Sequence, residues 1–344
     1  MRWLHGLELL DQTKLPAAEV WLAIEDISQL VEAIECLAVR GAPALGCAAA
    51  YGMALAGQTA SGAADWLPAL EQAGRKLTAA RPTAVNLQVG VDHQLAAARD
   101  LLPQVHTDLN AAKLELLQSA RNFHQRDADL CAAIGNHGQE LLKPDSCVLT
   151  HCNAGSLATG GSGTALAVIY AAHNAGKQIR VLVDETRPLL QGARLSCWEL
   201  TRAGIAATLQ CDSAAASAFS TGLVEAVIVG ADRIAANGDV ANKIGTYGIA
   251  VLAEKHGVPF YVAAPTTTID MNCATGADIP IEQRGADEVL IFGGGLIAPA
   301  GIAVRNPAFD ITPAAMVTAI ITERGVLRKP TRANLGVHTS ANCG

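Results

Sequence analysis

The second half of the chain repeats a pattern that few folds accommodate: a short, continuously apolar segment followed by text of helical spacing. The segments SCVLTHC, QIRVLVDE, IAATLQC, VEAVIVGAD, VPFYVAAP and DEVLIFGG predict strands. Helices are predicted between or after them, at GARLSCWELTRAG, NKIGTYGIAVLAEKHG and ITPAAMVTAIITERG. Strands without polar alternation are buried on both faces, so the pattern predicts a parallel sheet covered by helices on both sides.

The first half of the chain has a different spacing of apolar residues. RWLHGLELLDQ predicts short strands with a turn near Gly6, but helical spacing begins near Ile27, and 108–142 predicts one long helix or two. A length of 344 residues fits two domains. We therefore expect an α/β protein with a mainly helical N-terminal domain at 1–143, which carries a few short strands, and a doubly wound domain at 144–344.

Composition excludes several classes of function. The net charge is −7 and no basic stripe is visible, which argues against nucleic acid as a partner. The apolar runs are too short to cross a membrane, and residues 1–16 lack the layout of a signal peptide, so we expect a cytoplasmic protein. Nine cysteines without a Cys-x-x-Cys pair indicate a reduced compartment, and no metal-ligand spacing stands out.

Polar side chains follow three of the predicted strands where each strand ends. His151 and Cys152 follow the first, Asp184 and Glu185 the second, and Asp232 a later one. Ligands of open α/β sheets bind beyond the carboxyl ends of the strands, so this edge is the expected site. The loop NAGSLATGGSGTAL also begins here; it either points backbone amides at an anion or only forms a tight turn from strand to helix.

Cys152 is the most informative of these residues. A free cysteine is usually a small core side chain, but Cys152 ends a strand and precedes a glycine-rich loop and a helix start, where a thiolate is favoured. Asp232, at another parallel strand end, is its expected partner. Arg40 and Arg81 stand at helix boundaries, and Asn242 with Lys243 at a helix start. These residues either contact an anion or are ordinary solvated side chains and turns.

The chain resembles the methylthioribose-1-phosphate isomerases in a series of motifs that run in order from residue 40 to residue 325. The motifs are RGAPALG, RPTAVNL, LTHCNAG, VDETRPLLQGARL, GADRIAANGDVANKIGTYG, APTTTID, NPAFDITP and AIITERG. The resemblance implies a Rossmann-like second domain and a homodimer. It also implies an aldose–ketose isomerase that converts 5-methylthio-α-D-ribose 1-phosphate to 5-methylthio-D-ribulose 1-phosphate in methionine salvage. Such an isomerisation needs neither a metal nor a nicotinamide, so we expect no metal and no cofactor.

The resemblance assigns roles to nine positions. Cys152 and Asp232 match the catalytic pair. The positions that match substrate and phosphate binding are Arg40, Gly41, Ala42, Arg81, Gln191, Asn242 and Lys243. Gln191 is predicted by the resemblance alone. Two alternatives stay open at this stage: an isomerase of a related pentose 1-phosphate, such as 5-deoxyribose 1-phosphate or ribose 1,5-bisphosphate, and a non-catalytic regulatory subunit that binds a sugar phosphate.

Overall fold

The computed structural model describes residues 1–81 and 84–340, so Pro82 and Thr83 of the RPTAVNL motif lie outside the described residues. The chain divides into two compact units, Met1–Asp129 with Ser156–Gly163 and Leu130–Gly155 with Thr164–Gly344. The division falls earlier in the chain than the predicted boundary between 143 and 144. The reason is that one uninterrupted helix, Leu109–Gln139, contributes residues to both units.

The first unit contains a small antiparallel sheet and a set of helices. Its strands are β1 (Arg2–Trp3), β2 (Leu7–Leu10) and β3 (Trp21–Ile24). Its helices are α1 (Ile27–Glu35), α2 (Ala42–Thr59), α3 (Ala63–Ala80), α4 (Val85–Asp100), α5 (Leu102–Val105) and the first part of α6 (Leu109–Gln139). The predicted turn near Gly6 is the β1–β2 connection, in which Trp3 pairs with Leu7.

Local chemistry explains two of these helices. Asp26 caps α1, because its carboxylate accepts hydrogen bonds from the amides of Ser28 and Gln29. The small residues of α2 permit close helix packing: a β-carbon on Gly90 of α4 would overlap the carbonyl oxygen of Gly46. The alanine- and glycine-rich text of α2 is therefore a packing surface, buried along nearly its whole length.

The second unit is built on a sheet of seven strands with helices around it. The remaining strands are β4 (Cys147–Thr150), β5 (Arg180–Asp184), β6 (Ala206–Gln210), β7 (Ala226–Val229), β8 (Arg233–Ala235), β9 (Val240–Lys243), β10 (Phe260–Ala263), β11 (Ile269–Asp270), β12 (Ile291–Phe292), β13 (Gly295–Leu296), β14 (Phe309–Thr312), β15 (Ala319–Thr322) and β16 (Gly325–Arg328). The remaining helices are α7 (Ala165–Asn174), α8 (Cys197–Arg202), α9 (Ala215–Ser220), α10 (Thr246–His256), α11 (Asp287–Leu290) and α12 (Arg332–Ser340).

The strand order of the large sheet is β16-β15-β10-β7-β4-β5-β6, and every pair except β15–β16 is parallel. Alternate residues of the inner strands enter two separate clusters, one on each face. Leu149, Val227 and Ile320 belong to one cluster, and Val148, Ile228 and Ile321 to the other. The predicted doubly wound α/β fold is confirmed, since both faces of the inner parallel strands are buried, whereas the outer strand β6 is exposed.

Three element predictions were wrong. Asn242 and Lys243 do not stand at a helix start: they are the last two residues of β9, and α10 begins at Thr246. ITPAAMVTAIITERG is not a helix: it contains the end of β14, a short 3-10 turn and the buried parallel strand β15. DEVLIFGG is not a core strand: Asp287–Leu290 forms one helical turn, and Ile291–Phe292 pairs only with β13 in an exposed ribbon. Within the described residues, no helix combines the length and the apolar character needed to span a membrane.

Candidate active site

The strand order of the large sheet changes direction at β4. The chain proceeds from β4 through β5 to β6 on one side, and then returns to place β7 on the other side of β4. Cys152 follows β4 and Asp232 follows β7, so these two residues flank the switch point at the carboxyl edge. Open α/β sheets bind ligands in the crevice that forms at such a point.

Cys152 has a backbone conformation that residues with side chains rarely adopt. Its φ is +64°, in the left-handed region, and 9% of its surface is exposed. Its amide donates to Thr186 Oγ1 at 2.8 Å, and its carbonyl accepts from Ser196 Oγ at 2.7 Å. Strained residues held from both sides in this way are concentrated at functional sites.

The residue after Cys152 is fixed by a buried carboxylate. Asn153 Nδ2 donates to Glu199 Oε1 at 2.8 Å, and the hydroxyl of Tyr170 donates to Glu199 Oε2 at 3.1 Å. Burial raises the pKa of Tyr170, and the charge of Glu199 raises it further. The tyrosine therefore stays a neutral donor, and the start of the glycine-rich loop is held in one position.

Asp232 lies in the turn between β7 and β8, where it is exposed. Its amide donates to the carbonyl of Ala241, so the strand that carries Asn242 and Lys243 runs directly beside it. Asn242 is buried and donates to Thr246 Oγ1 at 3.0 Å. The Lys243 ammonium donates to the Ala308 carbonyl at 3.0 Å and lies 4.6 Å from the centre of the Phe309 ring.

Gln191 lies after β5, immediately before five residues of π-helix, Gly192–Ser196. Its side chain is only 6% exposed, and among the described residues its Oε1 has no hydrogen-bond partner. A buried acceptor without a donor is costly, and π-helical turns occur frequently at functional sites. Gln191 therefore presents a buried oxygen that a hydrogen-bond donor of a ligand would satisfy.

His151 is the buried centre of a hydrogen-bond network. Its Nδ1 lies 3.2 Å from Asp184 Oδ2, and its Nε2 lies 2.9 Å from the carbonyl oxygen of Ile244. Burial lowers the pKa of His151, but the hydrogen bond and charge of Asp184, with help from Ile244 and Asp212, raise it overall. Gln210 donates to the other oxygen of Asp184 at 2.9 Å.

Ligand atoms of His151, Asp184 and Asp212 lie within 4.8 Å of one another. Both ring nitrogens of the histidine already face acceptors, and the two Asp212 oxygens accept from the amides of Thr186 and Arg187. A metal ion there would have to break the hydrogen bond between His151 and Asp184. The arrangement fits a protonated histidine better than a metal centre, and the predicted absence of a metal stays a prediction.

Four predicted binding residues lie in the first unit. Gly41 has a φ of +97° and precedes α2, and a β-carbon on it would overlap the backbone of Ala158. Arg40 and Ala42 flank it and are partly buried. Arg81 directly follows α3 and is also partly buried. The prediction that both arginines stand at helix boundaries is confirmed.

Some backbone groups of the glycine-rich loop are hydrogen-bonded to other groups of the protein. Gly160 donates its amide to Asp127 Oδ2 at 2.6 Å, and its carbonyl lies 2.8 Å from His124 Nε2. The amide of Gly161 donates to Thr159 Oγ1 at 3.2 Å. These two amides are therefore engaged within the protein, and an anion would need other donors of the loop.

Sequence reasoning missed the residues that hold the site in place, namely Thr186, Ser196, Glu199 and Asp310. The carboxylate of Asp310 accepts from the amides of Gly245 and Tyr247 at 2.8 and 3.1 Å, at the start of α10. A serine, threonine or carboxylate of this kind has no local signature. Thr186, in the motif VDETRPLLQGARL, and Asp310, in NPAFDITP, lay within stretches that the resemblance had singled out, whereas Ser196 and Glu199 did not.

Comparison with known proteins points to one family. The profile of the initiation factor 2 subunit family matches residues 38–329. The methylthioribose-1-phosphate isomerase of Syntrophotalea carbinolica is 53% identical over 326 residues, which cover 94% of this chain and 93% of that protein.

Two solved structures are similar to this chain in both sequence and fold. A crystal structure of 5-methylthioribose 1-phosphate isomerase from Pyrococcus horikoshii is 41% identical, with a TM-score of 0.92 and coverage of 99% of this chain and 95% of that one. A structure described as translation initiation factor eIF-2B, subunit delta, from A. fulgidus is 44% identical, with a TM-score of 0.90 and 98% coverage of both chains. The chain therefore belongs to the initiation factor 2 subunit family, together with the methylthioribose-1-phosphate isomerases it resembles.

Proposed function

We propose that the protein is an aldose–ketose isomerase that converts 5-methylthio-α-D-ribose 1-phosphate to 5-methylthio-D-ribulose 1-phosphate in methionine salvage. The names of its relatives and the motifs that it shares with them support this substrate. The structural observation that carries the proposal is the buried thiol of Cys152, which stands in a left-handed backbone at the switch point of the sheet. A protein that only binds sugar phosphate has no need of a thiol fixed in this way.

The chemistry begins with a closed ring, because the phosphate on carbon 1 prevents a free aldehyde from forming. Asp232, in its acid form, donates a proton to the ring oxygen as the bond between carbon 1 and that oxygen breaks. The thiolate of Cys152 takes the proton from carbon 2, and the electrons of that bond form the double bond of an enediol. Return of a proton to carbon 1, with loss of the proton on the oxygen of carbon 2, gives the ketose.

A direct hydride shift from carbon 2 to carbon 1 is the rival route, with Cys152 stabilising the cation. Turnover in deuterated water distinguishes the two. Solvent deuterium at carbon 1 supports the proton route. Neither route changes the overall oxidation state, so neither requires a redox cofactor.

Substrate binding is assigned to the remaining predicted residues. Gln191 offers a buried acceptor to a sugar hydroxyl, and Asn242 and Lys243 lie beside Asp232 on β9. Arg40, Gly41, Ala42 and Arg81 supply the cations and backbone amides expected for a phosphate. Replacement of either arginine by methionine should raise KM far more than it lowers kcat, because a phosphate is held equally in the ground state and the transition state.

The first experiment is an assay of ketose formation from three compounds: 5-methylthioribose 1-phosphate, 5-deoxyribose 1-phosphate and ribose 1,5-bisphosphate. Preferred turnover of the methylthio compound supports the proposal. Preferred turnover of either other compound places the protein among isomerases of related pentose phosphates instead.

A non-catalytic regulatory role is the second candidate, because a solved structure that is 44% identical is described as an initiation factor subunit. Binding of the sugar phosphates by calorimetry, without conversion of any, would favour this role. Conversion that is lost in Cys152→Ser while binding persists would exclude it.

We also propose that the protein is a cytoplasmic homodimer. The outer strand β6 supports self-association, since Ala206–Leu209 is exposed and carries no charged residue to protect the open sheet edge. Light scattering after gel filtration should give twice the mass of the 35.5 kDa chain. Thr208→Lys should weaken the dimer if β6 lies in the interface, whereas a monomeric wild-type protein would contradict the proposal.

A further inference from the structure

His151 is buried beside the proposed catalytic thiol, yet no step of the proposed reaction uses it. Only 2% of its surface is exposed, and it immediately precedes Cys152 at the end of β4. The ring packs against Gly245, where a β-carbon would stand 2.9 Å from both Cε1 and Nε2. Gly245 has a φ of +107°, so the backbone of this turn is shaped to admit the imidazole ring.

The hydrogen-bond partners of the ring determine how many protons it carries. Nδ1 faces a carboxylate oxygen of Asp184, and Nε2 faces the carbonyl oxygen of Ile244. A carbonyl oxygen cannot donate, and a neutral imidazole has one N–H, so a neutral ring beside ionised Asp184 satisfies only one of the two acceptors. The doubly protonated imidazolium satisfies both.

The charges around His151 favour the same state. Asp184 comes from β5, Asp212 follows β6, and Asp310 comes from β14. Burial raises the pKa of Asp310 overall, although its two backbone hydrogen bonds and then the positive charges of His151 and Lys243 act to lower it. Three carboxyl groups thus interact with one imidazole, and Lys243 is a second cation that acts on Asp310.

The two hydrogen bonds of His151 reach two other loops. Asp184 begins the loop that carries Gln191, and the residue after Gln191, Gly192, packs directly on the Asp184 backbone. Ile244 follows Asn242 and Lys243 in the chain. We propose that His151 is a positioning residue: as a doubly protonated imidazolium, it ties the loop of Cys152 to the loops that carry Gln191 and Asn242–Lys243.

This role has a defined pH dependence. The folded-state pKa of His151 is raised, so the imidazolium and both of its hydrogen bonds are retained below that raised value and are lost as pH rises through it. Loss of the proton leaves either Asp184 or Ile244 without its donor. A thiol that acts as a base becomes more active as pH rises and it loses its proton. Deprotonation of Cys152 should therefore raise the rate, whereas deprotonation of His151 should lower it.

The test compares wild type with His151→Gln, whose amide can still donate near Ile244 but does not titrate. His106→Gln, at an exposed histidine, is the matched control. The first readout is the 15N NMR spectrum of histidine-labelled protein, with the His151 signals assigned by their absence from His151→Gln. We expect both ring nitrogens of His151 to be protonated at pH 7 and to titrate above the ordinary histidine range of about 6.5.

The second readout rests on the proposed function. In wild type, kcat/KM should decline on the alkaline side as His151 loses its proton. In His151→Gln that decline should be missing, and kcat/KM at neutral pH should fall by about 100-fold, the cost of a misplaced reacting group. A neutral His151 ring at pH 7, or a His151→Gln profile equal to wild type in height and shape, would overturn the proposal.

A third readout needs no substrate and separates the two proposals. Amide hydrogen exchange in segments 186–192 and 242–247, corrected for intrinsic rates, should be faster in His151→Gln than in wild type at neutral pH. If wild type converts no sugar phosphate, the proposed function fails while this readout still decides the role of His151. Unchanged exchange in both segments, with the variant folded, would mean that His151 does not position these loops.

Discussion

Gly192 lies so close to Asp184 that a β-carbon on the glycine would overlap the carbonyl oxygen of the aspartate. The backbone of Asp184 cannot yield easily, because its carboxylate is held by His151 and Gln210. The hydroxyl of Thr186 lies 2.9 Å from the same position. Only glycine permits the turn that leads from β5 to Gln191.

Gly192→Ala should therefore destabilise the protein by about 1–3 kcal/mol, the usual cost of overpacking a rigid interior. It should also lower activity, because Gln191 would shift. Urea denaturation followed by circular dichroism measures the first effect. Gly248→Ala is the control: Gly248 lies in α10 with open space around it, and alanine there should stabilise the helix by about 0.5–1 kcal/mol. Equal effects of the two substitutions would contradict this account.

Cys152→Ser should lower kcat by about 10²–10⁴-fold, the usual contribution of a positioned acid or base. Its KM and melting temperature should change little, because Thr186 and Ser196 hold the backbone of Cys152 and not its sulfur. Steady-state kinetics and calorimetric binding provide the measurements. Cys36→Ser, at an exposed cysteine, should match wild type. A Cys152→Ser variant with normal kcat would remove the thiol from the mechanism.

Gln191→Leu should separate stability from binding. Oε1 of Gln191 is buried and receives no hydrogen bond from residues 1–81 and 84–340. Leucine removes this unsatisfied acceptor, so the free energy of unfolding should stay equal or rise by up to about 1 kcal/mol. The same change should raise KM by about tenfold, the loss of one hydrogen bond to substrate. Thermal unfolding with and without substrate tests both statements. A less stable variant with normal KM would assign Gln191 a purely structural role.

Asp239 should contribute to unfolding at low pH. Burial acts to raise its pKa, but hydrogen bonds from the Asn237 side chain and from the amides of Ala314 and Gly276 lower it overall. A lowered folded-state pKa gives stability that is complete above the unfolded value of about 3.9 and is lost as pH falls through the folded value.

Asp239→Asn should therefore have a shallower dependence of melting temperature on pH below about 4 than wild type has. Asp100→Asn, at an exposed position on α4, is the control and should follow wild type. Parallel curves for all three proteins would show that Asp239 does not contribute to acid unfolding.

Much of the second unit could be predicted from its sequence, because continuous apolar segments such as CVLT and VLVD are typical of strands buried on both faces. β15 was mistaken for part of a helix because Val317, Ile320 and Ile321 also fit helical spacing. The β-branched content after Pro313 favoured a strand and was the better signal. β12 was mistaken for a core strand because an apolar segment does not reveal what, if anything, covers it.

Only part of the candidate site could be predicted from the sequence. Cys152 and Asp232 follow strands, so the topology alone places them at one edge of the sheet. The network of His151, Asp184 and Asp310 joins residues from three distant segments, and no local pattern describes such a contact. Gln191 was found only through the resemblance, since its distinguishing feature, a buried oxygen without a donor, exists only in the folded chain.

The contacts around Cys152 have a consequence for how this fold can diverge. Its left-handed backbone is held through its own amide and carbonyl, by two hydroxyl groups, so the shape of the loop does not depend on the sulfur. A descendant could exchange the thiol for another small side chain and inherit the loop and the switch point unchanged. Under the proposed mechanism, chemistry and architecture are thus separable at this residue: a single codon change silences the reaction and leaves a shape that selection is free to use for recognition.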